Sequence, residues 1–347
     1  MQLPFSEILI DGVVLMAEGT TFSMKEARGR YFAVSALLVF FTSLFGFFPI
    51  AIIISAALQA CLFRLSRPSI LAFLPAVIIL PLLFVLYGIE SALILTFVLL
   101  AVGVILRMAQ KKNVGKNVTV ASMTAVFLVA VICAFSLWLW KQNALSVEGL
   151  RLFLEKFQEL VMTELRAWFE NAGTNASISS EEIETLLDVT NQSLSDTIIL
   201  LPSILTVFFF GVSCAVIGLY KIICRLFKMK DGLSEKNWHF SVSMPFAAFY
   251  LFLLILAFFI SGESAFFIMS VNLRVLLTVF IAIVGVSMLV TSLSNAFPRI
   301  STRVFGVLAI IFLCFSTYSV LVWQIIAAVT AVKVIIAAFR KPTQEES

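Results

Sequence analysis

Apolar residues in this chain neither alternate nor recur on one face; they come in long unbroken runs separated by short clusters of charge. A helix that crosses a bilayer needs roughly 20 apolar residues. The first run, residues 31–65, meets no charge until Arg64 and is too long for one span. It fits two, with Gly46 and Pro49 marking the turn, because glycine relaxes the backbone and proline removes a helical donor. Further runs occupy 69–87, 91–106, 118–140, 198–220, 240–260 and 275–293. The last, 304–339, holds enough residues for two helices, with Ser316, Thr317 and Ser319 as turn residues and Lys333 interrupting its second half. The expected fold class is all-α, a polytopic transmembrane helical bundle of about ten spans, or nine if the last run supplies only one.

Composition agrees. Hydrophobic residues make up 61% of the chain and charged ones 13%, a balance that leaves too little polar surface to cover a water-soluble body of this size. Phenylalanine alone contributes 35 residues. The solvent for most of the chain is therefore lipid, and the bilayer is its first partner. The N-terminus offers no cleavable signal pattern, since acids, bases and polar residues are scattered through its first 29 positions.

Lysine and arginine set the orientation. Ten spans with the N-terminus inside put 18 of the 24 basic residues on the cytoplasmic side, among them the groups Arg107–Lys111–Lys112–Lys116 and Lys221–Arg225–Lys228–Lys230–Lys236. The opposite side receives five: Lys141, Arg151, Lys156, Arg166 and Arg274. The expected localisation is a bacterial cell membrane, with both termini cytoplasmic. The organisation is then a polar cytoplasmic segment 1–30, five spans over 31–140, an extracytoplasmic segment 141–196, four or five spans over 197–339, and a cytoplasmic tail 340–347.

The extracytoplasmic segment holds ten acids and four bases, the reverse of the inner loops. Leu150, Leu154, Phe157, Val161, Leu165 and Trp168 recur at helical spacing with charges opposite, which predicts an amphipathic helix lying on the outer leaflet or covering the mouth of its own bundle. Ser179 followed by Glu182 is a capping box, so a second helix starts there and runs on toward the sixth span. Trp138 and Trp140, at the outer end of the fifth run, read as interfacial belt residues.

The chemistry is sparse. No phosphate-binding loop is present, because Gly115-Lys116-Asn117 lacks the earlier glycine, and no His/Cys cluster has ligand spacing. One histidine, His239, and no carboxylate pair inside the spans leave no constellation for an intramembrane protease. The five cysteines sit in or beside apolar runs and read as packing residues. No enzyme activity, catalytic residue, metal, cofactor or nucleic-acid partner is expected. Polar span residues such as Thr42, Ser55, Gln59 and Ser213 are expected to join helices by hydrogen bonds, and Gly211-xxx-Ala215 and Ala56-xxx-Ala60 to let helices approach. Ionisable or polar groups near span ends are the candidates for a ligand site: Glu90 after Gly88, Glu263 and Arg274 flanking the outer turn between the seventh and eighth spans, and Asn272 beside that arginine.

Leu200-Leu201-Pro202 opening a span, the basic turn with Arg225, Trp238 shortly before Pro245, and Asn272-Leu273 ahead of Gly285-Val286-Ser287 form a pattern. It resembles the YybS-like predicted membrane proteins of bacteria, a group similar in fold to the substrate-binding S-components of ECF vitamin transporters. That resemblance implies a bundle with cytoplasmic termini and a small-molecule ligand entering from the extracytoplasmic side. It also implies a separate energising subunit, in keeping with the missing phosphate loop. S-components have six spans, so several helices here fall outside the likeness. Two functions remain open: a solute-binding or transport subunit, and a non-transporting scaffold that recruits partners in envelope or sporulation processes. The topology is tested by single cysteines at Ser177 and Ser234 in a cysteine-free background. An impermeant reagent on intact cells should label the first and spare the second; the opposite pattern inverts the orientation.

Overall fold

The computed structural model describes residues 24–44, 50–66, 69–176, 180–229, 240–257, 264–297 and 319–340, with isolated positions 233, 259, 260 and 304 besides. Every element among them is helical: α1 Met24–Ser43, α2 Ile50–Leu65, a 3-10 turn Ser69–Phe73, α3 Leu74–Tyr87, α4 Ile89–Lys112 and α5 Lys116–Lys141. Then come α6 Val147–Ala176, α7 Ser180–Leu226, α8 Met244–Leu256, α9 Ala265–Ala296 and α10 Ser319–Arg340. Five of these are long and apolar enough to cross a membrane: α4, α5, most of α7, α9 and most of α10. The apolar helices α2, α8 and the stretch Leu71–Tyr87 are shorter. The 16 residues of α2 rise only about 24 Å, below the ~30 Å hydrocarbon thickness. A bundle with five candidate spans is therefore what the structure shows, and the expected turn residues Gly46, Pro49, Ser316 and Thr317 lie outside the described residues.

These helices carry apolar side chains all round. Phe32, Val85, Phe259, Val320 and Phe339 are each at least 68% exposed, and Phe40, Phe84, Phe97, Phe246 and Phe252 are more than half exposed. An exterior of that kind is stable only against lipid tails.

The chain divides into two compact units, Met1–Phe157 with Phe208–His239, and Gln158–Val207 with Phe240–Ser347. In the first, polar side chains stitch α1, α2, the 3-10 turn and α3 together. Tyr31 donates to the Leu71 carbonyl (2.9 Å), Thr42 to the Ser55 hydroxyl (3.0 Å), the Gln59 amide to the Ala72 carbonyl (2.7 Å) and Tyr87 to the Ser43 carbonyl (2.7 Å). Thr124 on α5 likewise meets Ser213 on α7 at 3.2 Å, and the Phe127 and Phe209 rings stack beside them. The span hydroxyls and amides act as helix-joining groups, as the sequence predicts. Gly88 separates α3 from α4 with φ +80°, a conformation that excludes most side chains.

In the second unit, Ala247, Tyr250, Ile281, Ala282, Ala327 and Ala331 form a buried core shared by α8, α9 and α10. The four alanines let the helix axes come close. Gly285 on α9 sits directly under Thr330 and Ile326 of α10, where an added Cβ would collide. Gly103 on α4 faces Phe63 of α2 in the same way in the first unit. Gly211, by contrast, has nothing within 4 Å of its missing Cβ, so its spacing with Ala215 marks no close approach.

Two elements run longer than the hydropathy pattern suggests. The capped acidic helix and the sixth apolar run fuse into α7, 47 residues without a break despite Pro202. At 1.5 Å per residue it is about 70 Å long, more than twice the hydrocarbon thickness, so its acidic first turns lie outside lipid. α9 begins at Ala265, ten residues before the charge-free stretch, because Ser264 caps it by accepting from the Phe267 amide (3.2 Å). Lys333 does not break α10; it is exposed, seven residues before Arg340, where its stem can carry the ammonium toward that end.

The glycine at the α9–α10 contact gives a direct check. Gly285→Val should destabilise the second unit by about 1–3 kcal/mol through overpacking against Thr330 and Ile326. Thermal unfolding in mild detergent should show the loss, whereas Gly211→Ala leaves the midpoint unchanged.

Candidate functional site

The four residues singled out by the sequence have four different fates. Glu90 lies in the first turn of α4, where a carboxylate complements the helix dipole. Its Oε2 accepts from the Lys141 ammonium at 2.6 Å, at the far end of α5. Both side chains are open to solvent, 38% and 54% exposed, so the pair stabilises the α4–α5 junction by no more than ~1 kcal/mol. Glu263 lies outside the described residues. Asn272 and Arg274 do not sit beside a turn. They occupy the interior of α9, because the helix starts at Ala265 rather than at the charge-free stretch.

Asn272 is consumed by structure. Its Nδ2 donates to the Ile199 carbonyl on α7 and to the Ile268 carbonyl on its own helix, both at 2.9 Å. Its Oδ1 accepts from the Ser203 amide (3.1 Å), and the Ser203 hydroxyl donates to the Asn272 side chain or, at 2.9 Å, to its main-chain carbonyl. The location explains the arrangement. Pro202 has no amide hydrogen and its ring crowds the carbonyl four residues earlier, which loosens the hydrogen-bond ladder of α7 at this turn. One carboxamide, carrying both donor and acceptor, covers Ile199 and Ser203 on either side of the proline. Asn272 is 9% exposed and Ser203 fully buried, so their polar groups have no access to water.

Arg274 is different. It is half-buried on α9, nine residues inside the helix, and its Nε is shielded from solvent with no hydrogen-bond partner. One turn on, Thr278 donates back to the Arg274 carbonyl (2.8 Å) and reaches the Tyr250 hydroxyl of α8 at 3.3 Å. The Arg274 charge is near enough to that hydroxyl to act on it electrostatically. The phenol and the Thr278 hydroxyl thus meet on the α8–α9 side of the second unit, with the guanidinium near enough to act on the phenol at a distance. A desolvated guanidinium donor with no acceptor is costly, and the group that relieves it is a planar or tetrahedral anion able to accept from the guanidinium fork.

The first unit holds a polar line that sequence reading treated only as packing. The Gln110 amide of α4 donates to the Tyr220 hydroxyl of α7 at 2.6 Å, and the thiols of Cys224 and of Cys61 on α2 lie close enough to interact with that hydroxyl and with each other. Tyr220, Cys61 and Cys224 are fully buried. The signal available in the sequence was weak: Tyr220 and Cys224 are one turn apart on one face, at the basic end of a span, as Cys61 is beside Arg64. Both thiols are shut off from solvent, so this line ties three helices rather than doing chemistry.

Comparison with known families now has a geometry to refer to. Residues 32–329 match the model of a family described as "Predicted membrane protein (DUF2232)". The chain belongs to this family. The match begins within α1 and ends within α10, so it takes in both units and both Asn272 and Arg274. No curated protein and no solved structure matches the chain.

The roles of Asn272 and Arg274 are separable by mutation. Asn272→Leu should lower stability by about 1–3 kcal/mol, because Ile199 and Ser203 lose their buried partners. Arg274→Leu should leave stability unchanged or raise it, since it removes a half-buried cation whose Nε has no partner. Unfolding midpoints of the two variants, measured side by side, check the assignment; equal losses would place Arg274 in the structural network as well.

Proposed function

We propose that the protein is a solute-binding or transport subunit of the membrane that takes up a small anionic ligand at Arg274. The observation that carries this reading is the solvent-shielded Nε of Arg274, left without a hydrogen-bond partner where its neighbours Asn272 and Ser203 have theirs. A charged group inside a span is costly, most at the bilayer centre and less toward the span's ends, and such residues mark ligand paths by default. The Tyr250 hydroxyl, which accepts from Thr278, keeps its own proton as a further donor for the same ligand. The resemblance to ECF S-components supports the reading, because those subunits bind substrate in a helical bundle and leave energy coupling to separate subunits. On this view the N-terminus is cytoplasmic, the segment 141–196 is extracytoplasmic, and the ligand enters from that side. Glu90 belongs to the α4–α5 junction instead, and no residue is assigned a catalytic role. The alternative is the scaffold, with its working surface on the basic stretch from Lys221.

The ligand chemistry, a carboxylate or phosphate, is shared by free solutes and lipid headgroups. Protein purified in mild detergent should retain an anion identifiable by mass spectrometry, and Arg274→Ala should lose it without lowering the yield of folded protein. Arg274→Lys should retain it weakly, because an ammonium offers charge without the fork. A water-soluble anion supports the solute subunit; an anionic phospholipid lost in the same variant places a headgroup there instead. Equal retention by parent and Arg274→Ala would remove the site, and with it the reason to prefer transport to scaffolding.

A further inference from the structure

The first unit gathers its bases at one end. Tyr31 ties the start of α1 to the turn after α2, and Gly103 of α4 packs under Phe63 near the end of α2. Gln110 in the last turn of α4 bonds Tyr220 near the end of α7, and α5 begins a short loop past α4. Five helix ends therefore lie on one side of the unit. Among the described residues their side chains include ten lysines and arginines against a single carboxylate, Glu26. By sequence, the adjoining stretches 1–25, 67–68 and 230–239 add five acids and four bases and leave the excess almost unchanged. The helix dipoles do not balance it either, since each terminus contributes only about half a charge and the two signs partly cancel.

Two of these bases stand close together. α5 and α7 run antiparallel, because Thr124 meets Ser213 and the Phe127 ring stacks on that of Phe209. Lys116 and Lys221 each lie eight residues from the Thr124–Ser213 contact toward the basic end, which sets them at the same height. Both are half-buried, and their charges are near enough to repel each other. Lys111, Lys112, Arg225 and Lys228 are exposed around them. Two like charges partly withdrawn from water are costly, and an anion placed between them offsets that cost.

The surroundings choose the anion. Val118, Ile222 and Leu226 lie within five residues of the two lysines and are between 52% and 75% exposed, an exterior suited to acyl chains. An acidic protein segment would have to displace those chains. A phospholipid instead places its phosphate at the level of the lysines and its tails against the apolar residues, in one molecule. We infer that the α5–α7 junction at this end holds the headgroup phosphate of an anionic phospholipid, with Lys116 and Lys221 as the two cations that bind it.

The test places the full chain in nanodiscs of mixed phosphatidylcholine and phosphatidylglycerol, moves it to mild detergent, and counts the retained lipid by native mass spectrometry. Phosphatidylglycerol should be retained in preference to phosphatidylcholine, less so as salt rises. Lys116→Gln with Lys221→Gln should cut that preference about tenfold or more, whereas Lys116→Arg with Lys221→Arg keeps it. Lys111→Gln with Lys112→Gln removes the same charge from exposed positions at the same end and should weaken it less. Arg274→Ala should leave it untouched, which separates this site from the anion site of the second unit. In phosphatidylcholine alone, the Lys116 and Lys221 glutamine variant should unfold no earlier than the parent. Earlier unfolding would make the two lysines structural and overturn the inference. So would the absence of any preference in the parent, equal effects of the two glutamine pairs, or displacement of the lipid by inorganic phosphate.

Discussion

Hydrocarbon offers no hydrogen bonds, and that single constraint governs nearly every polar contact in this molecule. A hydroxyl, amide or thiol within a span is stable only when another part of the bundle completes it. The Thr42–Ser55 and Thr124–Ser213 contacts do this, and so do the amide NH2 groups of Gln59 toward Ala72 and Gln110 toward Tyr220; each fixes one helix against another element as a consequence. Apolar packing alone specifies little in lipid, because tails are as apolar as leucine. The polar pairs and the close approaches at Gly103 and Gly285 supply the specificity.

Asn272 shows how far this goes. A proline in a spanning helix loosens the backbone, and α7 stays continuous through Pro202 while a neighbouring side chain covers the turn. The same helix α9 carries, two residues later, a cation whose Nε is not completed. The contrast between two adjacent groups under one constraint is what gives Arg274 its meaning.

Much of this was legible from residues alone. Hydropathy gives the helical class, the separate helices within 31–65, and the helix-joining role of the span hydroxyls. The Ser179–Glu182 spacing predicts a helix start, and α7 opens at Ser180 and runs into the span. Helix limits were harder, because hydropathy locates lipid and not hydrogen bonding: α7 continues into acid-rich turns and α9 into residues that looked like a flanking turn. The amphipathic face of α6 was readable, yet its partner was not. Periodicity reports that a face is apolar, and here Phe153 meets Phe135 and Trp138 of α5 while farther along α6 Gln158 and Arg166 tie to α7. The candidate site was least legible, since spacing along a chain cannot reveal that Glu90 meets Lys141 or that Asn272 covers a proline.

The central claim is that one span cation is left for a ligand while its neighbours are used by the fold. An experimental structure in a lipid nanodisc, with ligand density resolved around α9, tests it most directly. The account predicts a non-protein anion within hydrogen-bonding distance of the Arg274 guanidinium, with Asn272 still bonded to Ile199 and Ser203. A guanidinium paired with a carboxylate of this chain, Glu263 for instance, would contradict it.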